Sequence, residues 1–340
     1  MKIAINGFGR IGRAFLRSAY LQKDKMQVVA INDLGDINNS AYLLKYDSVY
    51  GRAKFDVHVS GGKLVAGDWE IDMFAEKDPA HLPWGKEGID VVVEATGFFT
   101  DYVKAKAHLD AGAKKVVISA PAKGEPEDAG VTGGTILLGI NDEKLKDCQI
   151  TSNASCTTNA AAPLIVILDE AIGIEKAILN TTHAYTATQE IVDTGTKDDF
   201  RRGRAAAINM SPSHTGAAIA VTKAYPALTG KFDGIAVRVP VAAGSLADVT
   251  FIARRNTSVA EINDVLKKAA TLDRWKRVFS TSEEELVSSD IVGTPYGSIA
   301  DLTMTRVVDG NLVKVLAWYD NEMGYTHTLV EHVLAAGQGL

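Results

Sequence analysis

Cysteine is scarce in this 340-residue chain, and the scarcity narrows what the protein can be. Two cysteines, Cys148 and Cys156, cannot build a disulfide framework, so a reducing cytoplasm is the expected setting. Positive charge is not in excess. The net charge of −6 provides no basic field for nucleic acid or anionic lipid, and neither partner is expected. Long apolar runs are missing too. The most apolar stretch, AAAPLIVIL (160–168), ends at Asp169 and Glu170 and is too short to span a bilayer. The start, MKIAINGFGR, lacks the apolar core of a signal peptide. The sequence shows no internal repeat, charge block, Pro- or Ser-rich linker, or metal-ligand pattern.

What remains is an ordinary soluble composition, 46% hydrophobic and 23% charged, at a length that fits about two domains. KIAIN (2–6) reads as a buried strand, RAFLRSAYL (13–21) as a helix and QVVAIND (27–33) as a second strand. VVVEAT (91–96), KVVISA (115–120), TILLGI (135–140) and QITSN (149–153) are further strand candidates, with helical material at 100–113. Alternating helices and continuously apolar strands predict a parallel sheet covered on both faces, in a first domain at 1–152. A helix is expected from Ser155 to about Ile172. The strands after it, at 176–185, 234–241, 247–254 and 312–320, alternate polar with β-branched residues. They predict a mixed, largely antiparallel sheet with a helix at 258–270, in a second domain at 153–320. A last helix is expected within 321–340.

GFGRIG places Gly7, Gly9 and Gly12 in G-x-G-x-x-G spacing between a strand and a helix, the context a dinucleotide turn requires. The glycines admit a pyrophosphate and the helix N-terminus offers N–H groups to it. Asp33 closes the second strand, where a carboxylate accepts from ribose hydroxyls and repels a 2′-phosphate. The plainer alternative is a glycine-rich turn with Asp33 as a helix cap.

SNASCTTN (152–159) puts Cys156 at a strand-to-helix turn. The partial positive charge there stabilises a thiolate, and the residue's own N–H can face an oxyanion. Among seven histidines, His183 in NTTHAYTATQ is the best candidate base, since it ends a strand among small hydroxyl residues. Taken singly, Cys156 reads as a small buried hydrophobe and His183 as a surface residue. RRGR (201–204) alone reads as a solvated loop. Arg238 interrupts the apolar strand GIAVRVPV, a costly place for a charge that binds nothing. Thiolate, histidine, anion-binding arginines and a dinucleotide together suggest aldehyde oxidation through a thiohemiacetal and a thioester.

Over essentially its whole length the chain resembles the phosphorylating glyceraldehyde-3-phosphate dehydrogenases. The resemblance rests on INGFGRIGR (5–13), LLKYDS (43–48), SNASCTTN, HAYTATQ (183–189), FRRGRAA (200–206), TGAA (215–218), AVRVP (236–240) and WYDNEMGY (318–325). It implies a glycolytic oxidoreductase with a Rossmann domain, an α+β catalytic domain and a C-terminal helix that returns to the first. It implies Cys156 as nucleophile and His183 as its activator. Ser155, Thr157 and Thr186 would contact the substrate. Arg202, Thr215, Gly216 and Arg238 would bind the phosphates of glyceraldehyde 3-phosphate and of incoming inorganic phosphate. Gly7, Gly9, Arg10, Ile11, Gly12, Asp33, Lys77, Thr96 and Gly97 would hold the adenosine side and diphosphate of NAD, and Ser119 and Asn321 its nicotinamide. The stretch 184–205 would reach a neighbouring subunit of a homotetramer. Lys77, His214, Ile219, Thr194 and Gly195 depart from the usual family residues. The last two weaken exclusion of a 2′-phosphate, so NAD preference with NADP tolerance is expected. Erythrose-4-phosphate dehydrogenase is the nearest rival. HAYTATQ and TGAA favour the glyceraldehyde 3-phosphate side, and intact Cys156, His183 and Arg238 argue against a non-catalytic nucleotide-binding scaffold.

Overall fold

The computed structural model describes residues 1–196 and 199–340; residues 197 and 198, inside the stretch 184–205, lie outside the described residues. The described chain divides into two compact units. The first comprises Met1–Ile136, Asn141–Ala154 and Leu329–Leu340; the second comprises Leu137–Ile140 and Ser155–Thr328. The helix Met323–Ala336 runs from the second into the first.

The first unit contains β1 (Lys2–Asn6), β2 (Gln27–Asn32), β3 (Tyr46–Asp47), β4 (Gly51–Arg52), β5 (Val57–Ser60), β6 (Lys63–Ala66), β7 (Trp69–Phe74), β8 (Val91–Glu94), β9 (Lys115–Ile118), β10 (Gly133–Thr135) and β11 (Ile150–Ser152). Its main sheet has the order β10-β11-β9-β8-β1-β2-β7-β6-β5. The pairs from β10 to β7 are parallel, and Ile3, Ile5, Ile31, Val91 and Val93 are buried on β1, β2 and β8. Such uniform burial explains why these strands read as unbroken apolar runs.

Three expectations need correction here. The sheet is not wholly parallel, because β5, β6 and β7 form an antiparallel edge. TILLGI is not a strand over 135–140, since pairing stops at Thr135 and Leu137–Ile140 joins the second unit. There Gly139, at φ +79°, packs so closely on Trp275 that a Cβ would lie 2.9 Å from its ring. The helical stretch 100–113 is broken into Tyr102–Ala105 and Ala107–Asp110.

The second unit contains β12 (Ile174–Ala184), β13 (Ser211–His214), β14 (Phe232–Val239), β15 (Ser245–Ala253), β16 (Phe279–Ser282), β17 (Ser298–Val308) and β18 (Leu312–Tyr319). The sheet order is β13-β14-β12-β15-β18-β17-β16; β12–β14 and β16–β17 are parallel and the other pairs antiparallel. Helices Cys156–Ala171 and Val259–Ala270 pack on it. The mixed α/β fold class therefore stands. Parallel pairing of β12 with β14 sets His183 opposite Arg238.

Candidate active site

The N-terminus of helix Cys156–Ala171 is built by Ser155. Its hydroxyl accepts from the Thr158 N–H at 3.1 Å and caps the helix, leaving Cys156 as its first residue. Ala154 turns the chain into the helix at φ 54°. His183 lies near the end of β12. Its Nε2 is 3.3 Å from Cys156 Sγ, and its Nδ1 is 2.7 Å from the Ala184 carbonyl. In the tautomer with its proton on Nδ1, the ring donates to that carbonyl and presents the Nε2 lone pair to the thiol. Arg238 Nη1 lies 2.9 Å from the same Nδ1 and donates to the Ala184 carbonyl at 3.1 Å. One carbonyl thus gathers the imidazole and the guanidinium.

Burial, and then the positive charge of Arg238, push the His183 pKa down to about 3. Burial also raises that of Cys156, opposed by Arg238, by the Thr157 hydroxyl and by the N–H groups of Thr157 and Cys156 itself. The helix terminus does favour the thiolate, as its position suggests, but desolvation is the larger effect. Both shifts favour the uncharged pair, a thiol facing a neutral imidazole.

The other expected residues of this unit fall as follows. Thr157 is buried, and its hydroxyl meets Tyr319 Oη at 2.9 Å. Thr186 meets Thr188 hydroxyl to hydroxyl at 2.9 Å. Arg202 is held by Asp199 and Ser213, near enough to Arg238 to disfavour its charge. The Thr215 hydroxyl accepts from Ala217 N–H at 3.2 Å beside Gly216, the start of helix Ala217–Ala224. His214 and Ile219 are exposed. Asn321 Oδ1 accepts from Ser245 Oγ, which itself accepts from Ala184 N–H, so Asn321 is tied to the strand that carries His183.

Sequence reasoning missed Tyr319 and Ser245. Tyr319 Oη is shared by Thr157 and Thr181, and its ring stands edge-on to His183 at 5.9 Å. A buried tyrosine needs a partner for its hydroxyl. That need was the only available signal, and it could not identify the threonines.

The first unit holds a separate cleft of about 420 Å³, lined by Gly7, Gly9, Asp33, Leu34, Lys77, Thr96 and Phe98 among others. Gly7 sits at φ +95°, where a Cβ would be 2.6 Å from Thr96 N, and a Cβ on Gly12 would be 2.2 Å from the Gly7 carbonyl. Gly9 precedes helix Arg10–Tyr20, no side chain caps that end, and nothing stands within 4 Å of its Cβ position. Asp33 accepts from Phe8 N–H at 2.7 Å and from Gly35 N–H at 2.8 Å, which fixes its carboxylate at the rim. Arg10 pairs with Asp47 at 2.6 Å, Gly97 turns at φ +78°, and Ser119 N–H bonds the Glu94 carbonyl beyond β9. An open helix N-terminus, Gly7 and Gly12 without room for a side chain, and an anchored acid fit a dinucleotide.

The family profile "Glyceraldehyde 3-phosphate dehydrogenase, NAD binding domain" matches residues 1–102, and "Glyceraldehyde 3-phosphate dehydrogenase, C-terminal domain" matches 155–321. The chain belongs to the glyceraldehyde-3-phosphate dehydrogenase family. The family's enzyme from Clostridium pasteurianum is 48% identical over 97% of this chain and 96% of its own length. The enzyme from Mycobacterium avium is 47% identical over 100% and 99%, and that from Priestia megaterium 47% over 97% and 96%. Among the described residues, no helix is long and apolar enough to cross a membrane.

Proposed function

We propose that this protein oxidises glyceraldehyde 3-phosphate to 1,3-bisphosphoglycerate, with NAD and inorganic phosphate as co-substrates. The observation that carries the reading is the 3.3 Å approach of Cys156 Sγ to His183 Nε2 in a chain that also holds a dinucleotide cleft. Gly7, Gly9, Arg10, Ile11, Gly12, Asp33, Lys77, Thr96, Gly97 and Ser119 would hold NAD in the first unit, and Asn321 its carboxamide in the second. Bound NAD supplies the hydride acceptor.

His183 takes the thiol proton as Sγ bonds to the aldehyde carbon, and returns it to the new alkoxide. The Cys156 N–H, at the helix terminus, stabilises that oxygen while it is negative. Transfer of the hydroxyl proton to His183, with departure of hydride from the same carbon, leaves a thioester on Cys156. An oxygen of inorganic phosphate then attacks the thioester carbonyl, and the thiolate leaves. Arg202, Thr215, Gly216 and Arg238 bind the two phosphates; arginine suits planar, paired contacts to such oxygens. Ser155, Thr157 and Thr186 frame the reacting carbon, Thr157 through its N–H and its bond to Tyr319. We assign nucleotide binding to residues 1–152 with the C-terminal helix, and chemistry to 153–320. We further propose a cytoplasmic homotetramer in which the stretch 184–205 meets a neighbouring subunit. In support, Ile191, Val192 and Phe200 are more than two-thirds exposed in the single chain, and burial of such side chains favours association.

Mass spectrometry tests the covalent step. With glyceraldehyde 3-phosphate and NAD but no phosphate, an acid-quenched sample should carry a phosphoglyceroyl group on Cys156, and added phosphate should discharge it. No adduct, or one on Cys148, would contradict the reading.

A further inference from the structure

Behind the dinucleotide cleft, the first unit buries a carboxylate and an imidazole that the proposed chemistry does not use. Glu94 ends β8 and His108 lies on Ala107–Asp110; both side chains are fully buried. A buried carboxylate is costly unless its oxygens are satisfied. Glu94 Oε2 accepts from Asn6 Nδ2 at 2.6 Å and faces His108 Nε2 at 3.1 Å. Oε1 accepts from the Thr96 N–H at 2.8 Å and from the Thr96 hydroxyl.

The direction of these bonds is fixed from both ends. Trp84 Nε1–H can only donate, and it donates to His108 Nδ1 at 3.0 Å. His108 must then carry its proton on Nε2, aimed at Glu94. At the other end, the Glu76 N–H donates to Asn32 Oδ1 and the Glu76 carbonyl accepts from Asn32 Nδ2, both at 2.8 Å. Backbone groups cannot exchange roles, so the Asn32 amide has one orientation. Its Nδ2 also reaches Asn6 Oδ1 at 2.7 Å, which leaves Asn6 Nδ2 for Glu94. Two series of donors therefore converge on one residue that must only accept. A side-chain amide at position 94 would set donor against donor.

The relay reaches the cleft at its outer members. Asn6, Asn32, Glu76, Lys77 and Thr96 all line it. β8, β1 and β2 are neighbours, and the relay joins their C-terminal ends. It also bears on the phosphate turn, because the Thr96 peptide that Glu94 holds is the one packed against Gly7.

We propose that Glu94, oriented by His108, is a positioning residue for the dinucleotide. It fixes the strand ends that carry the Gly7 turn, Thr96 and Lys77. The proposal rests on the reading of this cleft as the NAD site. The test is calorimetric titration of the full chain with NAD, alongside thermal melting and steady-state kinetics, for the wild type, Glu94→Gln, His108→Phe and His108→Gln. Glu94→Gln should weaken NAD binding by about tenfold, the cost of a buried donor left unsatisfied, and raise KM for NAD by the same factor. Its kcat at saturating NAD should stay near the wild-type value. His108→Phe should also weaken NAD binding, and His108→Gln, whose amide can still donate to Glu94, should recover most of the loss. A purely structural role would lower the melting temperature and leave NAD affinity unchanged; that result in a folded variant overturns the proposal. If Glu94→Gln does not fold, the His108 pair decides, because His108 does not line the cleft. Wild-type binding with indifferent variants would overturn this proposal alone. Failure of the wild type to bind NAD would overturn the cleft reading and the proposal together.

Discussion

His183 touches Cys156 Sγ through one ring nitrogen at 3.3 Å and the Ala184 carbonyl through the other at 2.7 Å. A proton on Nδ1, donated to that carbonyl, leaves the Nε2 lone pair free for the thiol. His183→Asn should therefore lower kcat by roughly 10² to 10⁴, the usual worth of a positioned acid–base group. NAD affinity and melting temperature should stay close to wild type. A loss confined to KM, measured by steady-state kinetics, would contradict the assignment.

Arg238 has two neighbours of different kinds. It lies beside His183, and it sits near Arg202 at the expected phosphate site. Arg238→Ala should raise KM for glyceraldehyde 3-phosphate by about tenfold or more, the scale of one lost charge-assisted contact. Unphosphorylated glyceraldehyde should suffer a smaller fall, in kcat, from the altered surroundings of His183. Equal losses with both aldehydes would make Arg238 a support for histidine rather than a phosphate ligand.

We propose that cofactor choice turns on Asp33. Its carboxylate is held by two backbone N–H groups at the cleft rim, so it cannot readily swing away from a 2′-phosphate. NAD should be preferred over NADP in kcat/KM. Asp33→Ser should narrow that preference while weakening NAD as well, because the Phe8 and Gly35 N–H groups lose a charged acceptor. Equal wild-type efficiency with the two cofactors would mean that Thr194 and Gly195 outweigh Asp33.

Acid stability follows from two buried histidines. His183 and His332 are held at about 3, against 6.5 in the unfolded chain, chiefly by burial. Below 6.5 the unfolded chain binds protons that the folded chain refuses. Stability is thus fully present above 6.5 and declines as the pH falls toward 3, by up to about 1.4 kcal/mol per pH unit for each histidine. His332 sits between Thr151 and Asn153, and removing its titration spares the thiol pair. His332→Gln should flatten the fall in urea midpoint between pH 6.5 and 4. An unchanged slope would assign acid sensitivity to other groups.

The first strand, the glycine turn, the acid at the end of β2 and the cysteine at a helix start were all legible, because each depends on residues adjacent in sequence. The hairpin of β5 and β6 was not, since four-residue strands are too short to display a period. β17 also escaped notice; SIADLTMTRVV is buried over its first five residues and mostly not thereafter, which matches neither simple pattern. The Cys156–His183 contact spans 27 residues, and the bonds of Tyr319 span 162 and 138. Only the sheet order and the helix packed on it bring those groups together. The Glu94 relay was hidden for the same reason, as Asn6, Asn32 and Glu94 end separate strands and His108 lies on a helix.

The most direct test of the account is the initial rate of NADH formation from glyceraldehyde 3-phosphate and NAD, with and without inorganic phosphate, in the wild type and in Cys156→Ser. The account predicts sustained turnover that requires both phosphate and Cys156. Turnover indifferent to phosphate, or retained by Cys156→Ser, would contradict a thioester on Cys156.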